Sequence, residues 1–552
     1  MNEYRDWSFD PVNYPAAEVK AFIEELHRNN QKQILITDPG IKYEKGYYYY
    51  DFGVELDIFL KNSTGDDFIG RVWPGNTVFP DFMHPRAYEY WKKSIQDFLG
   101  LVPVDGLWVD MNEVANFCHG YCDNKAQERG PSMARKGVFD PVNPPYSINN
   151  RMEHLALNYK TTDMDVSHYG GVLEYNAHNL YGAMETMATR QALEELTNRR
   201  AFVLSRSTFA GTGAHGGHWT GDNFADWEHL HHSIPAMLNM NMFGIPYVGA
   251  DICGFAGDTT EELCARWMQL GAFYPFSRNH NMEGAISQEP YLWESVAEVS
   301  RLALAIRYSL FSVYYTLFYL AHTEGQTVVR PVFFEFPGDA NLLGNDRQFM
   351  LGDSLLFSPV LTQGAQSVSA YFPAGRWYHF DSHEALTFSL GTTLQLAAPL
   401  ETIPIHIRGG KILTTQSPKY STYETSLSDY TLVVALSEAG AAEGRLYLDD
   451  GISLGVDESE SSLISFAAST SADGGRLVSS GRFNFAVPNN VAEILILGVF
   501  GPLSSVALNG VSVPFSFDPS SGNLSIQGLA QSVVSSFSLV WVRTSAHNSQ
   551  SQ

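Results

Sequence analysis

Gly106-Leu-Trp-Val-Asp110 closes a short apolar run with an acid, and a barrel strand of that kind delivers the side chain that follows it into an active site. Asp110 is therefore the first candidate for a catalytic nucleophile. A second acid, Asp222 in His218-Trp-Thr-Gly-Asp222-Asn, has aromatic neighbours, the surroundings in which a carboxyl group keeps a proton to donate. Singly, each acid also fits a bland role, Asp110 as the N-cap of a following helix and Asp222 as an Asx-turn residue. Together they are the pair that glycoside hydrolysis needs, at a separation of about 5–5.5 Å if anomeric configuration is retained.

Other polar residues stand where strands end. Arg206 follows Ala201-Phe-Val-Leu204, so it reaches the same face, to hydrogen-bond a sugar hydroxyl or orient a carboxylate. Asp38 and Asp251 also follow strand-like runs, and carboxylates grip a pyranose by chelating neighbouring hydroxyls. Glu113 lies three residues beyond Asp110, on what reads as an opening helix, and is expected to be a structural partner.

The elements that must position these residues alternate. Val19, Phe22, Ile23 and Leu26 have helical spacing and precede the strand pattern Gln33–Thr37. A helix over Ala87–Leu99 precedes Gly106–Val109, one over Gly182–Asn198 precedes Ala201–Leu204, and one over Ala225–Met242 precedes Ile245–Gly249. Thr259-Thr-Glu-Glu262 has the form of a capping box whose helix runs to Gly271–Pro275, and helical segments over Trp293–Ala321 precede Thr327–Phe333. Repeated steps of this kind imply a parallel sheet. The six candidate strands fall two short of a closed (β/α)₈ barrel, and an unclosed barrel would expose strand edges. From about Phe336 the period becomes that of short strands, as in Gln348–Phe357 and Arg376–Phe380, with a composition shift near Pro418 toward Ser, Ala and Gly. Residues 124–151 are polar and Pro-rich and read as an inserted loop, and Ser545–Gln552 as a disordered tail.

Four motifs, GLWVDMNEVANF, SRSTF followed by HWTGDNFADW, GADICGF and FSRNHN, occur in an order that resembles family 31 of the glycoside hydrolases, and within it the secreted fungal α-glucosidases. The resemblance implies an α/β (β/α)₈ barrel over residues 1–335 with an insertion near 118–175, then two β-sandwich domains over 336–418 and 419–552. It makes Asp110 the nucleophile and Asp222 the general acid/base of a retaining mechanism, with Arg206 a substrate contact. It places His280 where it would hydrogen-bond the glucose ring. Trp73, Trp108, Met111, Phe117, Trp219 and Phe255 match an apolar wall that stacks on the sugar, and Arg278 matches a support for Asp110 and His280. His215 and Thr220 depart from residues common in the family, which leaves acceptor-side preference open. In that family a β-sandwich and the first barrel strands precede the point matched by Met1, so a separate N-terminal polypeptide is expected to complete the barrel.

The resulting expectation is a retaining exo-α-glucosidase acting on maltose-type oligosaccharides, possessing transglucosylation capacity and needing no cofactor or metal. Its rivals are an α-xylosidase, an α-glucan lyase, or a silent sugar-binding subunit, although binding alone does not require both acids. A net charge of −25 argues against nucleic acid and anionic membranes as partners. The longest apolar stretch, Ser309–Ala321, is interrupted by polar residues and is shorter than the roughly 20 residues of a membrane span. No signal peptide is read at the start, as in a mature fragment. The cysteines form two local pairs, Cys118 with Cys122 and Cys253 with Cys264. Disulfides in a secreted protein are favoured over four free thiols or a metal site, because sequons at Asn62 and Asn523 point the same way.

Overall fold

The computed structural model describes residues 1–122, 139–142, 144–146, 149–150 and 153–544. The expected inserted loop lies largely, and the expected disordered tail wholly, outside the described residues. The chain divides into two compact units, Met1–Trp219 with Ile452–Leu454, and Thr220–Gly451 with Gly455–Gln552.

In the first unit four parallel strands lie in chain order, Ile34–Thr37, Gly106–Val109, Phe202–Ser205 and Gly217–Trp219. Helices Ala87–Leu101 and Glu174–Thr197 alternate with them and are joined by a hydrogen bond of 2.8 Å from Trp91 Nε1 to Thr189 Oγ1. Trp91, Ile95, Leu107, Val109, Leu193 and Val203 form the core between helices and sheet. Gly106 is required by this approach, because a Cβ there would stand 2.5 Å from the Phe202 carbonyl oxygen. The strand Gly217–Trp219 escapes a search for apolar runs, since it has three residues and its middle one is a histidine. Phe22, counted with the apolar face of its helix, is exposed, and only Ile23 of the helix Ala16–Arg28 is buried.

In the second unit helices Trp227–Met242, Glu261–Gly271, Glu294–Ser309 and Phe311–Glu324 share a core with the strands Phe349–Leu351, Leu355–Phe357 and Ile405–Arg408. Here the structure corrects three expectations. The cap of the fifth αβ step is Thr260 rather than Thr259: its hydroxyl accepts from Leu263 N, and Glu262 turns away to accept from Gly364 N at 2.6 Å. Gly271–Pro275 is not a strand. The helix runs through Gly271, and the carbonyls of Ala272, Tyr274 and Pro275 accept from the Arg307 guanidinium instead of a sheet ladder. The parallel strand of this step is Arg278–Asn279, paired with Asp251–Ile252. Finally, only Val329–Arg330 of the expected run Thr327–Phe333 is extended, and it pairs antiparallel with Phe349–Leu351, so it belongs to the β-rich region. Pro331 has no N–H to continue a ladder, and Val332–Glu335 turns helical.

That β-rich region is a six-stranded sheet facing the hairpin-like pair Ser367–Phe372 and Thr392–Ala397, with Met350, Leu356, Ala370, Phe372 and Trp377 between them. The last part of the chain is an eleven-stranded sheet around its own core of Leu432, Ile464, Ile494 and Leu539 among others. Its strand Lys411–Gln416 lies before the composition shift at Pro418, yet pairs along its length with Tyr430–Ala435. Among the described residues no helix is long and apolar enough to cross a membrane.

Arg266 ties the helical and β-rich parts of the second unit together. Its side chain is buried and donates to Gln269 Oε1 and to the carbonyls of Pro399, Thr402, Ala365 and Ala398 at 2.9–3.4 Å. Arg266→Met keeps the apolar stem and strands those acceptors. A stability loss of about 3 kcal/mol or more is expected, measured by denaturant unfolding at constant m-value; a loss below about 1 kcal/mol would contradict this role.

Candidate active site

Register brings the first group of site residues together. Thr37, Val109 and Ser205 are aligned across three parallel strands, so the next residue of each, Asp38, Asp110 and Arg206, emerges at the same edge. The ladder continues one step past the strands, from Asp110 N to Thr37 O at 3.1 Å and from Arg206 N to Val109 O at 3.3 Å. No helix opens at Asp110: Met111 takes a left-handed φ of 59°, its N–H donates to Asp110 Oδ1 at 2.7 Å, and a turn follows. Glu113 therefore sits on that turn and not on the expected helix.

The Arg206 guanidinium binds both acids of the turn. Nη1 lies 2.9 Å from Asp110 Oδ1, while Nε and Nη2 reach Glu113 Oε1 and Oε2 at 2.8 and 3.0 Å. Nη2 also approaches Met111 Sδ at 3.3 Å. Of the two roles open to Arg206, orienting a carboxylate is the one its contacts display, and Glu113, expected only as a structural partner, is its bidentate counter-ion. Asp38 is buried, and burial together with the Asp6 and Asp110 carboxyls pushes its pKa well above the ordinary range, against Arg206. Burial likewise pushes Asp6, an acid the sequence reading passed over, up to about 8.

The expected apolar wall separates into exposed and covered members. Trp73 and Phe117 are exposed and meet edge to face with centroids 4.9 Å apart. Their segments are joined by Phe117 N donating to Arg71 O at 2.8 Å and by Asn116, whose Oδ1 accepts from Arg71 N and Cys118 N. The Cys118–Cys122 disulfide closes this loop. Trp219, in contrast, is 1% exposed and packs its edge against Trp108 at 5.3 Å, and Met111 is buried. Trp219 thus backs Trp108 and offers no open face of its own.

In the second unit Asp222 is exposed on the turn after Gly221, whose φ is 72°. The backbone around it is held by Asn223: its carbonyl accepts from Phe255 N and Ala256 N at 2.8 and 2.9 Å, and its Nδ2 donates to Asp251 O at 2.9 Å. Asp251 is fully buried and its Oδ1 accepts from Arg278 Nε and Nη2 at 3.1 and 2.6 Å, so Arg278, matched as a support for Asp110 and His280, is ion-paired with Asp251. His280 lies 5.3 Å from Phe255, and burial with the Arg278 charge lowers its pKa to about 4. The Cys253–Cys264 disulfide joins this loop to the helix Glu261–Gly271. Of the two sequon asparagines, Asn62 forms an Asx turn accepting from Thr64 N and Asp66 N, and Asn523 opens the strand Asn523–Ser532. Among the described residues no three His, Cys, Asp or Glu converge on a metal position.

Two family domains match the chain: the TIM-barrel domain of glycosyl hydrolases family 31 over residues 1–317, and the family 31 C-terminal domain over residues 325–413. A probable alpha-glucosidase of Oryza sativa subsp. japonica is 49% identical over 86% of this chain and 52% of its own length. Alpha-xylosidase 1 of Arabidopsis thaliana is 40% identical over 92% of this chain and 58% of its own. Among solved structures, a glucosidase II alpha subunit superposes with a TM-score of 0.85 at 29% identity, over 98% of this chain and 57% of the other. The chain spans about half the length of the curated relatives it matches.

A half-buried, uncharged His280 has a pH signature. Its folded pKa of about 4 lies below the ordinary imidazole value of about 6.5, so the stability from its burial is complete above about pH 6.5 and is lost as pH falls toward 4. NMR titration of the imidazole should give a midpoint below 5; a midpoint at 6 or above would show the ring to be solvated.

Proposed function

Since the chain belongs to family 31 of the glycoside hydrolases, we propose that it is the catalytic portion of a retaining exo-α-glucosidase that removes non-reducing terminal α-glucosyl residues from maltose-type oligosaccharides and transfers glucose to a second sugar as a side reaction. The observation that carries this reading is the aligned edge of Asp38, Asp110 and Arg206, in a sequence 49% identical to a probable alpha-glucosidase. Asp110, held by Arg206 and Met111 N, attacks the anomeric carbon as the bond to the leaving oxygen breaks. Asp222 gives that oxygen its proton. Asp222 then takes a proton from water, whose oxygen displaces Asp110 and releases glucose with its original configuration. The acids at Asp38 and Asp251 and the neutral His280 are the sugar's hydrogen-bonding partners.

A second reading is α-xylosidase, favoured by the 40% identity to alpha-xylosidase 1. Xylose differs from glucose in lacking the hydroxymethyl group, so turnover of p-nitrophenyl α-glucoside against α-xyloside separates the two.

The roles of the acids are separable by leaving group. Asp222→Asn is expected to slow maltose severely while sparing glycosylation by α-glucosyl fluoride, whose leaving group needs little protonation, and azide should then accelerate turnover. Asp110→Asn is expected to lose both substrates. NMR should show α-glucose as the first product. Equal slowing of maltose and the fluoride by Asp222→Asn, or early β-glucose, overturns the assignment.

We also propose that an N-terminal polypeptide of the same precursor pairs with the strand Ile34–Thr37, and that the protein is secreted. Among the described residues that strand has a neighbour on one side only, and Ile36 is 44% exposed, an unusual state for an apolar residue of a parallel sheet. The two disulfides and two sequons support an oxidising compartment. Mass spectrometry of active protein from its native source should find that second polypeptide, glycan on Asn62 or Asn523, and no free thiol. This chain alone in fully active material, or four thiols, contradicts the respective proposal.

A further inference from the structure

Glu185 is a buried acid that the mechanism does not use. It lies within the helix Glu174–Thr197 on the face turned to the strand ends, and it is 0% exposed. One turn earlier, Gly182 lets the helix touch the loops that follow the strands: a Cβ there would stand 2.6 Å from Ser207 Cβ and 2.7 Å from the Asn112 carbonyl oxygen. Asn112 is buried too. Its Nδ2 donates to Ser205 Oγ at 2.9 Å and its Oδ1 accepts from Ser207 N at 2.9 Å, so it clips the Asp110–Glu113 turn to the end of the strand Phe202–Ser205. The Asn112 side chain faces the Glu185 carboxyl, although neither Oε has a hydrogen bond of full geometry among the described residues.

We propose that Glu185 is a positioning residue for the nucleophile: from the helix it braces Asn112, and through Asn112 it fixes the turn that carries Asp110 and Glu113. This rests on the reading of Asp110 as the nucleophile. The groups around Glu185 define its state. The carboxyls of Asp38, Glu113 and Asp6 and the Tyr181 hydroxyl act on it electrostatically, and Arg206, the cation of the site, is bound to Asp110 and Glu113. Burial and those carboxyls push its pKa well above the carboxylate range, against the Asn112 side chain. Burial disfavours an ionised carboxylate so enclosed, whereas a neutral acid offers an amide both a donor and an acceptor. A neutral brace also adds no charge beside Asp110.

The test uses the whole enzyme with its N-terminal part. Glu185→Leu fills the space without hydrogen bonding and should lower kcat by about tenfold or more with KM changed less than about threefold, while Glu185→Gln, a neutral isostere, should recover kcat to within about threefold of the parent. A Leu variant as active as the parent, or a Gln variant as impaired as Leu, overturns the proposal. Stability gives a readout independent of turnover. Because the folded acid stays protonated while the unfolded one ionises, the parent should lose Tm relative to Glu185→Gln as pH rises above about 4.5. The Tm shift of Asn112→Ala with Glu185→Leu should be smaller than the sum of the single shifts. A gap that does not change with pH, or additive shifts, overturns the brace. If the parent turns over no α-glucoside, the proposed function falls and these two unfolding measurements still decide the inference.

Discussion

Thr37, Val109 and Ser205 share one register across three parallel strands, and the chemistry of the first unit hangs on that alignment. A parallel ladder in which the side-chain period is two leaves no latitude: a slip of one residue would turn Asp110 toward the helices and put Val109 at the edge. The pairing is secured from inside the sheet. Gly106 permits the close approach to Phe202, Val109 and Leu107 are buried in the core, and the backbone bonds of Asp110 and Arg206 extend the ladder into the site. The acids are thus held by the part of the unit that is most expensive to deform.

Alignment creates an electrostatic difficulty that the surrounding residues resolve by burial. Asp110, Glu113 and Asp38 converge with one guanidinium nearby, and Asp6 and Glu185 stand behind them. Arg206 pairs with the two acids of the turn. The other three are among the most buried polar residues of the unit, and burial moves the pKa of each upward. Desolvation favours the uncharged form of the enclosed acids, whereas Arg206 sits against the two acids of the turn.

What the sequence disclosed follows the same physics. Asp110, Asp38, Arg206 and Asp251 were picked out because each ends or follows a short apolar run, Asp222 because of its aromatic neighbours, and Cys118 with Cys122 and Cys253 with Cys264 because each pair is local. Strands without an apolar run were invisible, since Gly217–Trp219 carries a buried histidine and Asp251–Ile252 and Arg278–Asn279 have two residues each; conversely, Gly271–Pro275 has the apolar composition of a strand while Arg307 takes its carbonyls. The partner of Arg278 and the covered position of Trp219 depend on tertiary packing that no local pattern encodes. Glu185 shows the limit most directly, since an acid within an amphipathic helix reads as solvent-facing until the neighbouring Gly182 is seen to seat that turn on the strand ends.

The two candidate acids are presented in opposite ways, and the contrast bears on their roles. Asp110 is pinned through its carboxylate, by Met111 N and Arg206, at the end of a buried strand. Asp222 is exposed, and what is fixed near it is backbone, through Asn223 and its bonds to Phe255, Ala256 and Asp251. A nucleophile gains from a locked carboxylate, because attack depends on the alignment of one oxygen with one carbon and any rotamer freedom must be removed before reaction. An acid that also serves as a base exchanges its proton with a leaving sugar and then with incoming water, which requires access. Fixing the backbone while leaving the carboxyl open meets both demands, and the disulfide from Cys253 to Cys264 holds the loop that supplies Phe255 to that arrangement. The proposed division of labour between the acids thus matches what each is attached to: Asp110 by its side chain, Asp222 by its neighbours' main chain.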